Sequence, residues 1–222
     1  MSNDQSGGAG LRRTLGVGVL VVALVLGGVW FNDLWRGQPF PTADPVAVAG
    51  RLDARTQAIY DGLQLPDAPL NPRWPMAGIE ASIYDCHPRG LANFPDTLAD
   101  SPPREPGTAA VHESWALAGV THAQAADATA RARRTLEAAG WKTVSYKVSG
   151  GDVALRLEAP GTKDKVAVRA GVVLYPNGNL EVFAAAECVR YPKSAAVDDE
   201  GRPDLPDPSA PTQLRSRPPA SS

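Results

Sequence analysis

The side chains of this 222-residue chain whose types invite a chemical reading are few. They are three histidines (His87, His112 and His122), two cysteines (Cys86 and Cys188), and Ser114 directly after Glu113. Zinc needs three or four converging ligands, and no two of these histidines have the spacing of a ligand pair. His112-Glu113 lacks the second histidine of a His-Glu-x-x-His helix and lies in alternating, strand-like sequence. No metal or cofactor is expected. Ser114 stands outside any Gly-x-Ser-x-Gly elbow. A hydrolase here would have to bring His87 or His112 together with a carboxylate or with Ser114, because partners in catalysis need hydrogen-bond reach. Gly150-Gly151 and Gly178 lie between alternating runs and lack a following Gly-Lys-Ser/Thr, so they read as turns rather than phosphate loops. Asp127, Glu137, Glu158 and Glu181 fall at positions expected to be exposed and give no motive for two-carboxylate glycoside chemistry. Arg131, Arg133 and Arg134 read as solvent-facing residues in the latter half of a helix. Trp74, Trp115 and Trp141 read as packing residues rather than sugar platforms. No catalytic residue is assigned.

Cys86 and Cys188 are 102 positions apart, without the Cys-x-x-Cys spacing of a redox pair. In an exported protein they form one structural disulfide, and closing so long a loop stabilises by about 4 to 5 kcal/mol on the chain-entropy view. The bridge would brace the polar loop Asp85-Cys86-His87-Pro88-Arg89-Gly90-Leu91. Braced loops present binding groups, which makes His87 and Arg89 the candidate contact residues for a ligand or partner.

Export itself is read from the N-terminal region. Leu15 to Phe31 is a run of 17 uncharged, mostly Leu, Val and Gly residues. As a helix it spans roughly 26 Å, close to the hydrocarbon thickness of a bilayer. Trp30, Phe31 and Trp35 supply an aromatic belt at one end, and Arg12 and Arg13 precede the other, so the N-terminus is expected in the cytoplasm. A cleaved signal peptide would share the arginine pair and the apolar core. The nearest small-x-small site, Ala47-Val48-Ala49, lies 18 residues past Phe31, beyond Asn32, Asp33, Arg36 and three prolines. An uncleaved signal anchor is therefore the expectation. Three of the 22 basic and two of the 24 acidic residues precede position 37, leaving the exported part with 19 against 22 and a net charge of -3. That charge, together with the compartment, argues against nucleic acid.

The elements that must position these residues are legible as local signals. Asp44 caps and Pro45 opens an amphipathic helix with Val48, Leu52, Ile59 and Leu63 near one face; that face packs on the domain or pairs with another chain. Pro66, Pro69, Pro72 and Pro75, three apart, predict an extended connector. Thr121 and Gln124 make a capping box for a helix with Ala125, Ala128, Ala132, Leu136 and Ala139 on a narrow face, ended at Gly140 with Trp141 folding back on Leu136. Alternation then predicts a hairpin through Gly150-Gly151 and a second one, Val166 to Tyr175 and Leu180 to Val189, turning at Pro176-Asn177-Gly178-Asn179. Val111 to Leu117 alternates through Glu113 and Trp115, and Ile79, Ala81 and Ile83 mark one more strand. The expected fold is α+β, one helix packed on an antiparallel sheet of four to six strands, preceded by a single N-terminal transmembrane helix. The expected layout is a cytoplasmic segment (1–14), an anchor (15–31), a juxtamembrane helix and Pro-rich connector (32–75), an extracytoplasmic domain (76–191) and a disordered tail (192–222) whose 31 residues hold seven prolines.

Ala118 to Trp141 resembles the helical half of PASTA domains, the wall-recognition modules of bacterial envelope proteins, in its Gly-Val-Thr opening and Leu-Glu-Ala-Ala-Gly ending. The strands that follow are longer and more numerous than that module's, so its function is not carried over. In its Ala-, Arg- and Pro-rich composition the whole chain is similar to anchored envelope proteins of actinobacteria, which implies a location and no chemistry. The expected function is a non-enzymatic envelope accessory or interaction domain, anchored in the lipid bilayer, with another envelope protein as partner. The alternatives are a binding module for wall polymer or a small ligand, and a hydrolase.

Overall fold

Alternating side chains make strands here because one phase of the central runs is apolar enough to be buried. The computed structural model describes residues 26–160 and 166–206. Residues 1–14 and most of the Leu15–Phe31 run therefore lie outside the described residues. Two compact units result, one of residues 26–39 with 87–103, the other of 40–86 with 104–206. In the first, residues 26–36 are helical. Among the described residues no helix is long and apolar enough to cross a membrane.

The second unit is α+β. Its strands are β1 (Gly78–Ser82), β2 (Thr108–Leu117), β3 (Lys142–Ser149), β4 (Asp152–Glu158), β5 (Val168–Leu174) and β6 (Leu180–Arg190). They form one sheet in the order β1-β2-β6-β5-β4-β3, every neighbouring pair antiparallel. Strands β3 to β6 are the expected meander. The β3–β4 hairpin turns on Gly150 and Gly151, both at positive φ (62° and 92°), the backbone of a two-residue turn matched to strand twist.

Two helices, α1 (Pro45–Leu63) and α2 (His122–Ala138), share one core with a single phase of the strands: Val111, Trp115 and Leu117 on β2, Leu155 and Leu157 on β4, Val182 and Ala184 on β6. The expected single helix is thus corrected to two on the sheet. Of the two fates open to the apolar face of α1, packing on the domain is the one realised: Val48, Leu52, Ile59 and Leu63 are wholly buried. Helix approach relies on small residues, since a methyl on Gly62 of α1 would lie 3.0 Å from Cα of Ala132 on α2. Asp44 caps α1 through Oδ1, and Thr121 and Gln124 form the capping box of α2. The amides of Trp141 and Gly140 return to the carbonyls of Leu136 and Glu137, completing the Schellman ending. Ala139, expected on the buried face, is exposed, because the helix has already turned into that ending.

Two further expectations are corrected. The proline-spaced connector is not a free extended segment: Asn71 and Pro69 bond through their backbones to Ala116 and Ala118 at the end of β2, and Leu70 bridges Leu117. Residues 192–206 of the expected tail are folded, because Asp198 accepts from Arg202, the Tyr191 hydroxyl donates to the Gly201 carbonyl, and Val197 bridges Pro203, while residues 207–222 lie outside the described residues.

Candidate functional site

Cys86 follows β1, Cys188 lies in β6, and the two are joined (S–S 2.06 Å, Cα–Cα 5.7 Å). The polar loop begins immediately afterwards. His87 Nδ1 lies 3.0 Å from the Pro103 carbonyl, which can only accept, so that nitrogen carries a proton and the ring ties the two ends of the loop together. The Arg89 carbonyl accepts from the Asn93 side chain at 2.6 Å. Cys86 and Cys188 are thus together as expected. His87 and Arg89 belong to the unit of residues 26–39 and 87–103, and their resolved bonds hold the loop's own shape.

The polar groups that the fold collects most tightly lie on β2, at Glu113 and Ser114, which the sequence offers as chemical side chains without a role. Adjacent residues of a strand face opposite ways, so Glu113 and Ser114 serve opposite faces of the sheet. Glu113 is in phase with Val111, Trp115 and Leu117 and is fully buried on the helical face. Its Oε1 accepts from Thr56 Oγ1 of α1 (3.1 Å) and from Trp115 Nε1 (2.7 Å), while Oε2 is buried without a partner. Loss of hydration drives this carboxyl up to about 7, opposed by its two donors and reinforced by the Asp53 carboxylate. Tyr60, one turn beyond Thr56, has an unpartnered buried hydroxyl that burial, Glu113 and Glu181 all push well above the ordinary tyrosine range.

On the opposite face Ser114 Oγ donates to Glu181 Oε1 (2.7 Å) and accepts from Trp74 Nε1 (3.0 Å); Tyr175 donates to Glu181 Oε2 (2.9 Å), and its ring meets Trp74 edge to face. Glu181, expected to be exposed, is buried at 7%. The reason is the lid of Trp74 and Tyr175 over it, which no strand pattern encodes. His112 on the same strand meets Glu80 of β1 at 3.5 Å. The arrangement brings a histidine to one carboxylate and the serine to another. Ser114 already gives its proton to Glu181, and both oxygens of Glu181 are bonded, so the cluster acts as a fixed brace. Glu113 has the pKa of a general acid or base, but a fully buried group meets no substrate.

Two shallow clefts of about 160 and 220 Å³ flank the segment Gln64–Pro66 after α1, and neither is lined by Trp or Arg. Among the described residues no group of three or more His, Cys, Asp and Glu could hold a metal ion. Arg131 Nη2 donates to the Leu63 carbonyl and Arg133 lies over Tyr146 at 4.5 Å, so both arginines expected to face solvent join α2 to its neighbours. Trp74, Trp115 and Trp141 are buried, as packing residues should be. No protein family model, curated protein or solved structure matches the chain.

Proposed function

We propose that this chain is a single-pass membrane protein with a cytoplasmic N-terminus, whose α+β unit lies outside the membrane and works by binding another envelope protein rather than by catalysis. The observation that carries the location is the exposed apolar surface of residues 26–36, where Leu26, Val29, Trp30, Phe31, Leu34 and Trp35 are all open. Such a row is costly in water and marks a surface meant for an apolar phase. It continues the uncharged run that begins at Leu15. The closed Cys86–Cys188 bridge supports an oxidising compartment. Binding is preferred over catalysis because Ser114, Glu181 and Trp74 are committed to one another and Glu113 is out of reach.

The test is cross-linking of the full-length protein in its native membrane, followed by purification. A reproducible protein partner that is lost on deleting residues 76–189 is expected; its absence would turn attention to wall polymers and small ligands. Location is tested separately by alkylation with and without reductant, and two freely alkylated thiols in the native protein would reject export.

A further inference from the structure

The unit of residues 26–39 and 87–103 is held by backbone packed on backbone. Gly37 (φ +78°) and Gly90 (φ +93°) meet so closely that a Cβ on Gly37 would overlap the Arg89 backbone, and one on Gly90 the Arg36–Gly37 peptide. Only glycine permits this approach at positive φ. The contact fixes the loop at the C-terminal end of the 26–36 helix, beside Trp35, whose ring stacks on Phe31.

From that point the loop runs through a 3-10 turn (Leu91–Asn93) into one α-helical turn (Phe94–Thr97). Leu91, Phe94 and Leu98 are spaced three and four apart, the spacing of one helical side, and are 50%, 58% and 71% exposed. Asp96, two residues from Phe94, falls on the other side. Three large apolar side chains, each at least half exposed on one side of a short segment, lose much of the burial that would stabilise them in water.

We infer that residues 91–98 are a second membrane contact, lying in the headgroup region beside the anchor with Leu91, Phe94 and Leu98 turned into the bilayer. This rests on the reading of Leu15–Phe31 as membrane-spanning. A lipid surface is the occupant because the Gly37–Gly90 contact holds the start of the loop against the backbone of Trp35 to Gly37, next to the aromatic end of the apolar run, where aromatic residues lie at a membrane–water boundary. The backbones of Arg36 and Arg89 meet at the same junction. An amphipathic turn so placed buries its apolar side a few ångströms deep while its carboxylate stays wet.

Both native cysteines are in the disulfide. A cysteine introduced by Leu98→Cys or Leu26→Cys in the full-length protein can therefore be labelled alone with an environment-sensitive dye. The proteins are reconstituted in vesicles of phosphatidylcholine and phosphatidylglycerol carrying a nitroxide either near the headgroup or deep in the acyl chain. The expected result is a blue-shifted emission at position 98, with a larger loss of fluorescence to the shallow nitroxide than to the deep one. Quenching at position 26 without quenching at position 98 overturns the inference and leaves the anchor standing. No quenching at either position overturns the anchor reading and this inference with it.

Discussion

Glu113→Gln changes one buried atom and removes one titration. The carboxyl has an ordinary value near 4.5 and is held at about 7 in the fold, chiefly because burial withholds water from its charged form. A folded state with the higher pKa binds the extra proton, so its stability is complete below pH 4.5, falls as the pH rises, and levels off above about 7. Over that interval of about 2.5 pH units, at about 1.36 kcal/mol each, the loss comes to about 3 kcal/mol. Glutamine keeps an acceptor for Thr56 and Trp115 but carries an amide nitrogen where Oε2 has no partner, a cost of about 1 to 3 kcal/mol that does not change with pH. The two proteins should therefore differ in slope more than in level: the wild type loses stability between pH 4.5 and 8, while the variant stays flat and overtakes it or draws level at the alkaline end. Urea denaturation of the full-length, oxidised protein in detergent, followed by tryptophan fluorescence, reads this through Trp115, which donates directly to the carboxylate. Parallel pH dependences for the two proteins would refute the assignment of the titration to Glu113.

Ser114→Ala removes the hydroxyl between Trp74 and Glu181 and should destabilise by about 1 to 3 kcal/mol, seen as a lowered urea midpoint; an unchanged midpoint would mean the brace contributes nothing. Gly171→Ala on β5 puts a methyl onto the Leu155 carbonyl oxygen and 2.8 Å from the Phe183 ring, and should cost about 1 to 3 kcal/mol by overpacking, with a near-neutral result contradicting the close approach. The double change Cys86→Ser with Cys188→Ser should lower thermal stability as much as reductant lowers that of the wild type, by about 2 to 5 kcal/mol; a further drop when reductant is added to the variant would point to other chemistry.

What the sequence made legible was local. Thr121 and Gln124 are three residues apart, Gly140 and Trp141 close the helix that they open, and Gly150-Gly151 turns between runs that pair across it; each is a short-range rule acting on neighbours. What it hid was long-range. Thr56 meets Glu113 across 57 positions and Ser114 meets Glu181 across 67, and those pairings exist only once α1 lies on β2 and β6 lies beside β2. Glu113 was nonetheless signalled, because it shares its phase with Val111, Trp115 and Leu117, and a carboxylate in the apolar phase of a strand is a buried one. Glu181 gave no such sign. Its strand places it in the exposed phase, and it is dry because Trp74, from the proline-spaced connector, closes over it.

The disulfide also decides how far the loop of residues 87–103 can vary without harm to the sheet. The loop leaves directly after Cys86, whose sulfur is bonded to β6 and whose carbonyl accepts from the Glu105 amide at 2.6 Å. Glu105 in turn pairs with Arg190 at the end of β6. Departure and return are therefore clamped to the same strand by a covalent bond, a backbone bond and an ion pair. Substitutions at its exposed tip leave the length of the loop, and so the entropy of closing it, unchanged, and should be nearly neutral for the sheet's stability. Leu91, Phe94 and Leu98, each at least half exposed, are not among the residues of the sheet's core. Had the same three residues packed into that core, membrane contact and stability could not have been told apart by mutation. Because the clamp separates them, serine at position 98 should leave the urea midpoint of the sheet unchanged while weakening any interaction of the loop with lipid.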